Sequence, residues 1–80
     1  MAARRFDALG AHLRAAHLAA GMTQRILGYR AGSQQALVSR VERGEARFGR
    51  DLTLRIADVL SLDPAELLRL AGHHETDAGR

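Results

Sequence analysis

Four histidines, nine acidic residues and twelve basic residues, all arginine, carry the ionisable chemistry of this 80-residue chain, which has no cysteine. His12 and His17 are off the i, i+4 spacing that sets two metal ligands on one helix face, and His73 and His74 fall in a polar terminal stretch. No metal site is expected. Without cysteine there is neither a thiolate site nor a disulfide framework. No nucleophile has a base at motif spacing, no glycine-rich phosphate loop occurs, and so short a chain leaves little room for a pocket. Neither catalysis nor a cofactor is expected.

The arginines are unevenly placed. From Arg25 to Arg50 six of them face only Glu42 and Glu45, a local excess of +4, whereas from Asp51 onward three face six acids. A basic middle beside an acidic half suggests one surface for a polyanion, although charge alone reads equally as a solvated face.

The elements that must hold these residues are helical. Phe6, Leu9, Leu13, Ala16 and Ala20 recur at helical spacing and stop at Gly21, which gives a first helix over about residues 6–20. Thr23 offers an N-cap for a second helix at 24–30, closed by Ala31-Gly32. A third, at 34–43, carries Leu37, Val38 and Val41 and stops at Gly44. The turn between the second and third is so short that they must cross steeply, which is helix-turn-helix geometry. Residues 45–50 read as a polar loop around Phe48 and Gly49. Asp51 then caps a fourth helix, and Asp63-Pro64-Ala65-Glu66 opens a fifth that runs to about Ala71. No alternating run suggests a strand. The expected fold is all-α with five helices, a single domain over residues 1–72 and a frayed polar tail at 73–80.

The string GMTQRILGYRAGSQQALVSRVERG, residues 21–44, resembles the core of the Xre/Cro family of lambdoid repressor-like helix-turn-helix transcriptional regulators. It repeats that family's Gly, apolar, Ser/Thr, Gln, two variable positions, Leu, then Ala-Gly at the turn, and ends apolar-Ser-Arg-apolar-Glu-Arg-Gly. Looser likeness extends over about residues 9–71. The resemblance implies a sequence-specific double-stranded DNA-binding protein, dimeric, acting as repressor or autoregulator, with the third helix in the major groove.

Val38 and Val41 should form the buried stripe of that helix, which turns Gln34, Gln35, Ala36, Ser39 and Arg40 toward DNA. Gln pairs with adenine, Arg with guanine, and Ala36 can meet a thymine methyl. Phosphate contacts are expected from Gln24, at a helix N-terminus, and from Arg43, Arg47 and Arg50. Such contacts demand only charge and reach, so each arginine also reads as an ordinary solvated residue.

His17, Gly28, Ser33, Gln34 and Ile26 depart from the family pattern, Ile26 standing where the family is commonly polar. His17 stands where the family usually carries an arginine paired with the glutamate matching Glu42; the sequence leaves open whether His17 reaches that acid. Gly28 replaces a usual alanine, at about 1 kcal/mol of helix propensity. Ser33 and Gln34 compete as N-cap of the third helix, Ser33 being better by chemistry.

The last two helices hold more large apolar residues than one small domain easily buries. Leu62, Leu68 and Leu70 are candidates for a homodimer interface, with a core role as the other reading. A two-fold dimer would read a pseudo-palindromic operator. No apolar run reaches a membrane span and the start lacks a signal peptide's apolar core, so a cytoplasmic location is expected. The competing function is a protein-interaction module, such as an antitoxin or adaptor, on the same scaffold.

Overall fold

The five expected helices form, and their punctuation residues account for most of their ends. In the computed structural model, which describes residues 5–73, they are α1 (Asp7–Ala19), α2 (Gln24–Arg30), α3 (Gln35–Glu42), α4 (Arg50–Leu60) and α5 (Pro64–Leu70), with no strand among the described residues. Of the tail expected at 73–80, residues 74–80 lie outside the described residues. His73 lies inside them, its Nε2 2.9 Å from the Phe48 carbonyl.

Thr23 Oγ1 accepts from Ile26 N at 3.1 Å, and Asp63 Oδ1 accepts from Ala65 N at 3.2 Å with Pro64 in the first turn. Each such cap contributes about 1 kcal/mol. All five helices end in one kind of closure. The N–H just past the left-handed residue reaches back to the carbonyl five residues earlier, as in Met22 N to His17 O and Leu62 N to Ala57 O. This Schellman closure needs a left-handed residue, which glycine supplies four times and Ser61, at φ 55°, once.

That closure corrects the expected N-cap of α3. Ser33 N donates to Gly28 O at 2.7 Å, so Ser33 belongs to the end of α2 and makes no cap. Gln34 is the N-cap instead, extended at φ −148° and without a side-chain capping bond. α4 also begins earlier than expected, with Gly49 as N-cap and Asp51 inside the first turn. Thr53 is fully buried there, and its hydroxyl donates to the Gly49 carbonyl at 2.8 Å.

The core runs through every element: Leu9 and Leu13 from α1, Leu27 from α2, Val38 and Val41 from α3, Ile56, Ala57 and Leu60 from α4, and Leu67 from α5. Phe48 joins it at 0% exposure, so the loop read as polar is pinned by its one aromatic side chain. Burying a side chain of that size stabilises by roughly 1.5–3 kcal/mol.

Two glycines set how closely the helices meet. A Cβ at Gly10 would lie 2.6 Å from Glu42 O, and one at Gly28 would lie 2.8 Å from the Gln34 carbonyl carbon. Real Cβ atoms do not approach backbone so closely. At Gly28 the expected cost in propensity is therefore the condition for packing α2 against the start of α3.

Candidate nucleic-acid interface

The two valines of α3 are completely buried, and this fixes which face of the helix turns outward. Gln34, Gln35, Ala36 and Arg40 are exposed and Ser39 is half-buried. Four of the five predicted base-reading residues are thus exposed and one half-buried, at the start of or along a helix packed against α2. With no capping bond, the Gln34 side chain is not engaged at the helix start. Arg43 belongs to the same face: one guanidinium nitrogen donates to the Ser39 hydroxyl one turn earlier, and the group pairs with Glu45 through Nε–Oε2 at 3.1 Å.

The other predicted cationic contacts separate from one another. Arg50 is the first residue of α4 and half-buried, and its Nη1 is enclosed without a hydrogen-bond partner. Arg47 has a different occupation. Its Nη1 donates to Ala71 O at 2.9 Å, and its guanidinium lies 5.7 Å from the Phe6 ring centroid, so it fastens the end of α5 to the start of the chain's described part. Arg55, which the sequence did not single out, donates from Nε to Ala31 O at 2.8 Å and caps the carbonyl end of α2. No motif marks such a contact, because its partner is a backbone carbonyl 24 residues away.

Beneath this surface sits a buried polar group. His17 Nδ1 lies 2.6 Å from Glu42 Oε2, with side-chain exposures of 7% and 3%. The other Glu42 oxygen accepts from Gln24 Nε2 at 3.0 Å. Gln24 is thus placed at the N-terminus of α2 as expected, but its side chain is held by α3.

On α2 no motif singles out Tyr29, which is 84% exposed, with Ile26 at 43%. Arg25, Ile26 and Tyr29 line a shallow groove. A second groove, lined by Leu54, Ala57, Asp58, Ser61, Leu62 and Pro64, lies where α4 meets α5. Of the residues expected at a dimer interface, Leu62 and Leu70 are half-buried and Leu68 is 6% exposed, making Leu68 a core residue of its own protomer. No cluster of metal-ligating side chains occurs among the described residues, and none of their helices is long and apolar enough to cross a membrane.

A short helix packed on its neighbour across a brief turn, with its polar face exposed, defines a DNA-binding regulator of the helix-turn-helix class. Residues 8–70 match the family model described as a helix-turn-helix domain, and the chain belongs to that family, as an Xre-type regulator. The chain is similar to the restriction-modification controller protein C.AhdI from Aeromonas hydrophila, known from a high-resolution crystal structure. The two share 31% identity at a TM-score of 0.72, over 78% of this chain and 90% of that one. No curated protein matches the chain.

Proposed function

We propose that the protein reads a pseudo-palindromic operator as a homodimer and acts as a repressor or autoregulator of transcription. The observation that carries this reading is the α3 surface, with Val38 and Val41 fully buried and Gln34, Gln35, Ala36, Ser39 and Arg40 turned away from the core. An α-helix presented this way fits the major groove. Arg43 and Arg50 supply phosphate contacts at its flanks, together with the backbone N–H groups at the start of α2, beside Gln24. The chemistry is recognition and not catalysis, and it needs no cofactor. Likeness to a protein named as a restriction-modification controller favours that kind of regulator among those the scaffold serves.

The dimer face we assign is the α4–α5 groove. Leu54, 37% exposed, and the half-buried Leu62 line it, while α5 adds the half-buried Leu70 and the 6% exposed Leu68. Two protomers joined so that their α3 helices stand about 34 Å apart would read half-sites one DNA turn apart.

The test is selection of bound sequences from random duplex DNA, followed by titration of the winner across a salt series. An inverted repeat is expected, with affinity falling steeply as salt rises. Arg40→Ala should weaken binding about tenfold, mostly at one base of each half-site. Enrichment of no motif, or of one indifferent to Gln35 and Arg40, would sink the reading.

A second reading has one observation in its favour, the groove of Arg25, Ile26 and Tyr29 on the outer side of α2. It is the protein-interaction module, antitoxin or adaptor. A partner held mainly by apolar contact would stay bound at salt concentrations that release DNA.

A further inference from the structure

We infer that Arg43 is a specificity-determining residue that acts through Ser39: it makes the Ser39 hydroxyl a hydrogen-bond donor toward DNA, so that this position of α3 accepts guanine, adenine or thymine and rejects cytosine. The inference rests on the DNA-binding reading above and deepens it.

Serine is an uninformative side chain on a base-reading surface, because its hydroxyl carries one proton and two lone pairs and pairs with donor or acceptor alike. The fold removes that ambiguity. Arg43, one helical turn after Ser39, donates from Nη1 to Ser39 Oγ. A guanidinium has donors only, so the Ser39 proton cannot turn toward it. One lone pair is taken, and a positive charge stands beside the oxygen. What remains favourable is a partner that accepts.

The guanidinium is held in this place from its other edge. Arg43 Nε lies 3.1 Å from Glu45 Oε2 and Nη2 lies 3.3 Å from Glu45 Oε1, a two-point contact that fixes the plane of the group. Glu45 is itself placed by the helix end, where Gly44 takes φ 77° and Glu45 N donates to Arg40 O at 3.0 Å. Ser39, Arg43 and Glu45 thus form one chain of contacts along α3 and its closure. A phosphate that displaces Glu45 on DNA presents two oxygens to the same Nε–Nη2 edge, which leaves Nη1 on Ser39. The same arginine then joins a backbone contact to a base contact.

The base edges sort accordingly. In the major groove guanine offers N7 and O6, adenine N7 and thymine O4, all acceptors, whereas cytosine offers its N4 amino group, a donor. A cytosine facing Ser39 would bring an N–H toward an oxygen that already accepts from Arg43, beside a guanidinium of like polarity.

The test places each of the four bases in turn at the position facing Ser39, in both half-sites of the selected duplex. That position is the one whose preference changes in Ser39→Ala. Affinities are read by fluorescence anisotropy at fixed salt for the full chain as wild type, Arg43→Ala, Ser39→Ala and the double variant, with circular dichroism as the check on folding. Wild type should bind the cytosine duplex about fivefold or more weakly than the best of the other three. Arg43→Ala should shrink that penalty to about twofold while lowering affinity for all four duplexes, and Ser39→Ala should abolish it. Arg43→Gln, whose amide both donates and accepts, should lose the penalty as Arg43→Ala does. In the double variant the preference should match that of Ser39→Ala, because Arg43 has nothing left to act through. An Arg43→Ala protein that is weakened equally on all four duplexes has lost a phosphate contact alone, and this overturns the inference. So does a change of preference on adding Arg43→Ala in the Ser39→Ala background, or a Ser39→Ala protein whose preference is altered at no position. A wild type that enriches no sequence removes the DNA-binding reading itself, and the inference falls with it.

Discussion

At the scale of single residues, four arginines of the basic middle and its border do four different things. Arg40 is an exposed candidate for base contact, Arg43 lies along the same helix face, Arg47 ties Ala71 and Phe6 together, and Arg55 closes the end of α2. Their charges are identical, so the partners alone distinguish them. Arg43→Ala should weaken operator binding at low salt and flatten the slope of log affinity against log salt by about one phosphate contact. Arg47→Ala should leave that slope in place and lower thermal stability by about 1 kcal/mol, the net worth of a typical hydrogen bond. Thermal melts and salt titrations of the two variants check both outcomes; a fall in the salt slope for Arg47→Ala would return Arg47 to the DNA surface. Glu45, paired with Arg43 in the free protein, is the natural competitor for the phosphate that Arg43 is proposed to meet.

At the scale of elements, spacing is set by what is missing. Gly10 and Gly28 both sit inside helices, where glycine costs about 1 kcal/mol relative to alanine. At each a methyl group would strike the backbone of α3 or of the residue that starts it. Gly28→Ala is therefore expected to destabilise, by about 1–3 kcal/mol net of the propensity gain, because an overpacked contact outweighs it. Urea unfolding measures this directly, and a more stable variant would show that α2 and α3 separate more easily than their contact implies. The same substitution should reduce DNA affinity, since it tilts the surface on which Gln34 and Gln35 stand. The caps at Thr23 and Asp63 act locally and were legible from their residue types. Ser33 was misread for a local reason as well, because its backbone N–H is drawn into closing α2 before its hydroxyl can open α3.

At the scale of the whole molecule, the charge asymmetry and the apolar surplus of the last two helices point to separate elements with separate tasks. The Arg-rich middle supplies α3 and its flanks, whereas the acidic half supplies α4 and α5, where repulsion from DNA is harmless if that face meets a second protomer. Leu54→Glu should convert the proposed dimer to a monomer without unfolding it, since Leu54 is 37% exposed and lies outside the buried core. Leu68→Glu should unfold the chain, because it forces a charge into a site 6% exposed. Sedimentation equilibrium with circular dichroism separates these results. A Leu54→Glu protein that remains dimeric would move the interface elsewhere on the surface.

The sequence by itself determined the helices, their order and the identity of the outward face of α3. Apolar spacing fixes which side of a helix is buried, and a motif of fixed register fixes which helix projects. It also placed Val38 and Val41 inside and the five polar or small residues of α3 outside. Only the tertiary structure decided what each buried or exposed group meets. Phe48 enters the core from a loop because the fold leaves room for one aromatic ring there. Arg47 and Arg55 find carbonyls 24 residues away, and Gly10 proves to be a crossing point. The His17–Glu42–Gln24 link belongs to the same group. Its members stand on three helices, and their distances follow from packing angles that no single segment of the chain encodes.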